Sequence, residues 1–394
     1  MARTTLKYSE SEQKRRAMPV GTLTARGAEL LRLAHERPDL TRAEAARALG
    51  TGTGTTADLV ARLAGAHLLD ERPAAPGGRG RPTRHLVPHP TGPLVIGVVV
   101  RHEDWRAAAV ELGGALVAGE HGTRDGCDGA TVLRAVRAAT GRLRRRWPGR
   151  VRGLGVAVPG LVHDGHVLDA PILGWRDLDL RAALAADGEA FVAGNDATLA
   201  AVGEARRGAA TGAAVHLHLH VDAGLGGAVT TGGRPLEGAH GLAGEFGHVP
   251  FGDPAVRCPC GARGCWGTTL DGSAFARALG EVPPRDPVSY AQRALDRAAG
   301  GDEDALRAAR AVGTALGRGT GGLVNALDAD LVTLGGLAAR LLQVVPDQVR
   351  GACEDGLVRF RRSPPPPLVA AALGDEGPLT GAAELVWSQL WELL

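Results

Sequence analysis

"CPCGARGCWG", residues 258–267, holds three of the five cysteines of a 394-residue chain within eight positions. The spacing is Cys258-x-Cys260-x4-Cys265, with Gly261 and Gly264 between the thiols and Trp266 and Gly267 closing the stretch. Glycine lets a backbone turn tightly from one thiol to the next. In a reducing compartment such a cluster points to a metal rather than to disulfides, with ordinary buried thiols as the alternative. Cys127 and Cys353 have no such company and read as ordinary core or surface thiols.

The compartment follows from what surrounds the cluster. Hydrophobic residues make up 44% and charged residues 22%, the balance of a soluble globular protein. No apolar run approaches the roughly 20 residues needed to cross a bilayer; "LVIGVVV" (94–100) is among the longest. The first twenty residues contain no apolar segment of the secretory type. A cytoplasmic protein without membrane contact is expected. The length predicts two or three folding units.

Charge is uneven. Residues 1–90 carry 15 Lys/Arg against 9 Asp/Glu, a net of +6, whereas the whole chain is +2, leaving −4 for residues 91–394. A small basic module on an acidic body suggests an anionic partner at one end. In that module Thr41 and Glu44 have the spacing of a capping box and Gly50 that of a helix stop. Leu30, Leu31 and Ala34 share one helical face, and Leu59, Leu63 and Ala66 share another. Three short helices are therefore predicted, then two short strands around "GGRGRPTR" (77–84). That order predicts a winged helix-turn-helix over 1–88, with operator DNA as partner. Thr53, Thr55, Thr56 and Arg62 would face the bases, and Arg79, Arg81 and Arg84 of the wing would touch the backbone or the minor groove. Threonines are poor base readers beside Arg, Asn and Gln, so phosphate contacts should supply much of the affinity. "HPTGP" (89–93) marks the boundary.

From residue 94 onward apolar strands alternate with helices, including a predicted single helix over 341–360, and no short-period repeat is visible. This is an α/β pattern with strands in both halves. Five stretches, "GRGRPTRHL" (78–86), "GNDATLAAVGEARRG" (194–208), "GGRPLEGAHGLAGEFGHV" (232–249), "CPCGARGC" (258–265) and "VNALDADLVTLGG" (324–336), together resemble the ROK family (repressor, ORF, kinase) over nearly the whole chain. The resemblance implies a two-lobed actin-like ATPase (ribonuclease H-like) fold over 89–394. Residues 94–195 plus the C-terminal helix would be the small lobe and 196–375 the large one. The N-terminal module places the chain with the repressor branch.

The resemblance also assigns roles. His248 becomes the fourth ligand beside Cys258, Cys260 and Cys265, completing the four N/S donors of a structural zinc site, one Zn2+ per chain with no position open for water. Asn195, Asp196, Glu245 and His248 become contacts for a sugar-like ligand between the lobes. Asp196 matches the general base of the kinases. Two departures stand out: Gly267 where the family has a glutamate that hydrogen-bonds sugar hydroxyls, and Ile172 where asparagine is usual. Missing polar partners change which hydroxyl patterns a site accepts.

The nucleotide side departs further. The family's kinases open the first lobe with Asp-x-Gly-Gly-Thr, whose glycines let backbone N–H groups approach phosphate. Here Arg101–Trp105 contain no glycine and two acids. In the second phosphate turn, Asp222–Ala228, an acid stands at the start and the threonine is gone. In "HLHLH" (216–220) three histidines share one strand face, which suits either a metal or a satisfied or exposed strand face, the latter being the common case. The sequence thus predicts a repressor without kinase activity, acting as a homodimer or dimer of dimers. The alternatives are a ROK-type sugar kinase with an accessory DNA-binding domain, or a regulator that has lost its small-molecule ligand.

Overall fold

The structure is a computed structural model that describes residues 23–73, 84–124 and 128–392. The predicted wing arginines Arg79 and Arg81, and Cys127, lie outside these residues. The chain divides into two compact units, Met1–Gly194 with Ala382–Leu394, and Asn195–Gly381.

The first unit opens with three helices, α1 (Ala25–Glu36), α2 (Arg42–Ala48) and α3 (Thr53–Gly65), followed by an antiparallel pair, β1 (Leu69–Pro73) and β2 (Arg84–Pro88). The capping box forms as spaced: the Thr41 side chain accepts from the Glu44 N–H, and Glu44 reaches back to the Thr41 N–H. Gly50 ends that turn at φ +61°. Leu30, Leu31, Ala45, Leu59, Val60, Leu63 and Leu86 close a small core. The Leu86 N–H donates to the Leu40 carbonyl, so the hairpin is anchored beside α2.

A five-stranded sheet follows, in the order β10-β6-β3-β4-β5. Strands β3 (Leu94–Val100), β4 (Asp104–Glu111) and β5 (Leu116–Thr123) form an antiparallel meander, and β6 (Val151–Val158) returns parallel to β3 after α4 (Gly129–Arg146). Val132, Val136, Ala139 and Leu143 of α4 pack on Ile96, Val98, Leu154 and Val156. A three-stranded side sheet, β7 (Leu161–His163), β8 (His166–Ala170) and β9 (Trp175–Asp179), leads through α5 (Leu180–Leu184) to β10 (Ala190–Asn195).

The second unit repeats this plan, which no repeat in the sequence announces. After α6 (Asp196–Arg207), strands β11 (Val215–Val221), β12 (Leu225–Thr231) and β13 (Arg234–Pro235) form another antiparallel meander. After the cysteine loop come α7 (Gly272–Ala278), α8 (Pro287–Ala299), α9 (Glu303–Leu327) and, beyond β14 (Leu331–Gly336), α10 (Leu337–Val344). Strand β14 lies parallel to β11, and β15 (Leu368–Ala370) parallel to β14. The helix predicted over 341–360 is interrupted: Val345 leaves helical geometry and α11 (Pro346–Gly356) restarts with proline in its first turn. Proline has no N–H to continue the ladder and its ring clashes with the preceding turn.

Helix α12 (Gly377–Glu392) starts in the second unit and ends in the first. There it lies against β6, where a Cβ on Gly155 would stand 2.4 Å from the Ala382 carbonyl oxygen. Only glycine allows helix and strand backbones to approach this closely. Among the described residues no helix is long and apolar enough to cross a membrane.

Candidate functional site

The cysteine loop is fixed before any ion is considered. Trp266 is fully buried, its indole N–H donates to the Ala315 carbonyl of α9 at 3.0 Å, and its ring occupies the place a side chain on Gly319 would need. The tryptophan is therefore a staple that holds the loop on α9. Backbone bonds from Cys258 N–H to Ala262 O and from Gly264 N–H to Val256 O close the knuckle. This brings His248, Cys258, Cys260 and Cys265 together, with all four donor atoms within 4.8 Å of one another. His248 Nδ1 lies 3.8 Å from Cys258 Sγ, and Cys260 Sγ lies 3.7 Å from Cys265 Sγ. A tetrahedron of zinc–sulfur bonds has edges of about 3.8 Å, the spacing at which these two pairs stand, so the donor set suits that ion.

Electrostatics point the same way. Burial first, and the neighbouring thiols second, push the Cys265 thiol up to about 12. Backbone N–H donation near Ala262 and the Cys258 side chain lower that of Cys260. Only a cation among them would hold all three as thiolates at this spacing. On the other side of the imidazole, His248 Nε2 stands 3.8 Å from Glu245 Oε2. One ring thus faces the thiols with one nitrogen and a carboxylate with the other, the arrangement that fixes the orientation of a metal-ligating histidine.

Asn195 and Asp196 form a second group at the start of α6. Asn195 Oδ1 accepts from the Ala197 and Thr198 N–H groups, so it is the N-cap of this helix. Asp196, half-buried, accepts from the Ala197 N–H at 2.9 Å. Desolvation raises its pKa, while the charge of His220 works in the opposite direction. His220 Nε2 lies 2.9 Å from Asp222 Oδ2. The two groups border on consecutive residues of β12: Ala197 packs at Gly226 and Phe246 at Gly227. Gly267 lies beside the 244–248 turn, where a Cβ would stand 3.3 Å from the Gly247 carbonyl oxygen. Ile172 belongs to the first unit, 43% exposed, and its carbonyl accepts from Arg124.

The first phosphate-turn position is closed upon itself. Arg101 Nε and Nη2 donate to Asp104 Oδ1 and Oδ2 at 2.7 and 2.8 Å, a bidentate pair across the turn. Arg124 Nη1 takes the carbonyls of Arg101 and His102. Sequence reading found the absence of glycine here but not this clamp; the signal was Arg101 and Asp104 three residues apart.

The histidine face of β11 is a buried polar seam. His216 Nε2 and His218 Nδ1 lie 2.6 and 2.8 Å from Thr333 Oγ1 on β14, and His216 Nδ1 lies 3.3 Å from Thr230 Oγ1. The face is satisfied but for one atom: His218 Nε2 is buried without a hydrogen-bond partner.

Among the predicted DNA contacts, Thr53, Thr55 and Arg62 are exposed on α3. Thr56 is not available: it is fully buried, with its hydroxyl bonded to Gly52 O and lying 2.9 Å from Thr51 Oγ1. The threonine run hid this because α3 begins at Thr53, which turns the fourth residue inward. Arg84 is exposed but lies 3.6 Å from Glu71, which also faces Arg42 at 3.3 Å.

Known proteins bear on this architecture. A kanosamine kinase of Amycolatopsis mediterranei is 36% identical over 250 residues, which are 62% of this chain and 80% of that one. The xylose repressor of Bacillus subtilis is 26% identical over 245 residues, 61% of this chain and 62% of the repressor. A solved ROK-family transcriptional regulator, a homologue of the Escherichia coli Mlc protein, superposes with a TM-score of 0.74 at 21% identity, covering 97% of this chain and 98% of that one. The family model for ROK matches residues 97–389, from β3 into α12, and by that match the chain belongs to the ROK family.

Proposed function

We propose that the protein is a ligand-responsive, DNA-binding transcription regulator, most simply a repressor, and not a kinase. The observation that carries this reading is the pairing of an N-terminal helix–helix–helix–hairpin module with a ROK domain whose first phosphate turn is closed by Arg101 and Asp104. A nucleotide phosphate at that turn would have to displace a bidentate ion pair.

In this reading the module is a winged helix-turn-helix that places α3 in the major groove, with Thr53, Thr55 and Arg62 outward. Two copies on a pseudo-palindromic operator would use the homodimer or dimer of dimers expected from the family. Zinc is structural, one ion on His248, Cys258, Cys260 and Cys265. The effector is a sugar or sugar derivative, bound through Asn195, Asp196, Glu245 and His248; relatives named for kanosamine, glucose and xylose support that class. Gly267 favours a ligand with fewer hydroxyls to satisfy, or with a bulkier substituent, than glucose.

A sugar kinase with an accessory DNA-binding module is the second reading, favoured by the retained Asp196 and the kinase relatives. One experiment separates them. Purified protein is footprinted on DNA upstream of its own gene, challenged with sugars and sugar phosphates, and assayed for ATP-dependent phosphorylation of the same sugars. Release by a sugar without turnover supports the regulator. Turnover at about 1–100 per second would establish the kinase. Asp196→Asn should lose the release while keeping operator affinity; unchanged release from that variant rules Asp196 out of the effector site.

A further inference from the structure

The hairpin that follows α3 carries a carboxylate on its inward face. Leu69 of β1 is buried, and side chains alternate along a strand, so Glu71 points the same way. In the antiparallel register Glu71 stands opposite Leu86, itself buried, and Arg84 lies two residues along β2 on that same face. Diagonal neighbours of this kind are within reach of long side chains. Arg42 approaches from another element. Thr41 bridges to His85 of β2, which sets the first residue of α2 beside the hairpin.

Glu71 thus sits between two guanidinium groups. Its Oε1 is 3.3 Å from Arg42 Nη1 and its Oε2 is 3.6 Å from Arg84 Nη1. The acid is only 14% exposed, whereas the arginines are 38% and 54% exposed, so the anion is inside and its partners reach out to water. Neither contact is a hydrogen bond: 3.6 Å is too long, and Oε1 is buried with no hydrogen-bond partner. Loose pairs with half-exposed arginines contribute little on their own. Each guanidinium also carries N–H donors beyond the nitrogen that faces Glu71, in a fork that matches a phosphate. Drawing either fork away leaves a mostly buried carboxylate short of a partner, and that cost works against any outside anion.

The outside anion is set by the place. In a helix-turn-helix the helix before the reading helix crosses the DNA backbone. Here that helix is α2, and Arg42 opens it. We infer that Arg42 and Arg84 form a latent site for a DNA backbone phosphate, filled from within by Glu71, whose carboxylate competes with the duplex and so sets DNA affinity and its salt dependence. The inference rests on the regulator reading and deepens it: Arg42 becomes a DNA-facing residue, and Glu71 a brake on binding.

The test measures binding of the intact protein to a labelled duplex of arbitrary sequence, by fluorescence anisotropy over a range of salt concentrations. Glu71→Gln keeps the shape and removes the charge. It should bind at least about threefold more tightly at low salt. Its plot of log affinity against log salt should steepen by about 1–2, roughly one for each arginine released. Glu71→Asp draws the carboxylate back from both forks at unchanged net charge and should shift affinity and slope in the same direction. With Arg42 and Arg84 both replaced by alanine, Glu71→Gln should no longer steepen the slope. A gain that survives the loss of both arginines reflects net charge alone, and unchanged or weaker binding by Glu71→Gln and Glu71→Asp makes Glu71 a structural cross-link; either result overturns the inference. A wild type that binds no duplex at low salt defeats the regulator reading and this inference with it, whereas wild-type binding that is indifferent to Glu71 defeats this inference alone.

Discussion

His35 Nε2 stands 3.0 Å from Glu384 Oε2, although 349 residues separate them in sequence. The Gly113 N–H donates to His35 Nδ1 at 3.0 Å, so the ring proton belongs on Nε2 and points at the carboxylate. Trp387 and Trp391, 5.3 and 5.4 Å from the imidazole, screen the pair from water. Helix α1 is thus seated on α12 within the first unit. Replacing Glu384→Ala leaves a buried donor without this acceptor, a loss of about 1–3 kcal/mol. Faster hydrogen exchange in α1 and weaker operator binding should result, with Glu384→Gln, which keeps an acceptor, in between. Wild-type protection of α1 in the alanine variant would show that the seat lies elsewhere.

Purified protein should contain one zinc per chain. Chelation, or Cys260→Ala, should lower the thermal midpoint markedly, because binding free energy at a structural site is folding free energy. Cys353→Ala should leave the metal content unchanged, since Cys353 packs in the core of the second unit, where burial pushes its thiol up to about 11. Elemental analysis of the three proteins checks this; a metal-free wild type with full stability refutes it.

Acid should destabilise the second unit through the β11 seam. Burial lowers the His216 pKa to about 4, and burial with the neighbouring histidines lowers that of His218. An unfolded histidine titrates near 6.5, so between pH 6.5 and about 4 the unfolded chain binds protons the native one refuses. Stability is therefore present above 6.5 and falls as pH falls, by up to about 3 kcal/mol for His216 alone. His220, whose pKa is raised by Asp222 despite burial, works in the opposite direction. Denaturant midpoints measured from pH 7.5 to 4.5 should drop less steeply in His216→Gln than in the wild type; parallel curves would clear His216 of this role.

On operator DNA, Arg62→Ala should weaken binding and reduce the salt slope by about 1 if the side chain reaches a phosphate. Arg84→Ala should do less, because Glu71 already engages that guanidinium. Fluorescence titrations at several salt concentrations decide the order, and a larger slope change for Arg84→Ala would mean that the Glu71 pair opens on DNA.

Local punctuation was legible in the sequence. The Thr41–Glu44 box, the Gly50 stop and the knot of three cysteines appear where the residues put them, because each depends on neighbours within a few positions, whereas His248 came from the family resemblance. What escaped depends on where an element starts or stops and on which side chains then meet. Thr56 turns inward because of where α3 starts; Pro346 breaks a helix whose apolar pattern runs on. The reason for a glycine at 319 in α9 is visible only once Trp266 is seen lying on it. The Arg101–Asp104 clamp needed a turn geometry that residue types alone do not specify.

The return of α12 to the first unit has a consequence for how the chain is made. Synthesis proceeds from the N-terminus, and domains generally fold as they emerge. Here the N-terminal helices leave the ribosome with their seat unmade, and Glu384, with Trp387 and Trp391 behind it, follows His35 only after 349 residues. Closing a contact of that sequence separation carries the entropy of the whole intervening loop. A chain nascent or clipped short of Glu384 therefore carries its helix-and-hairpin module unseated, and the module is held only once that helix has been made.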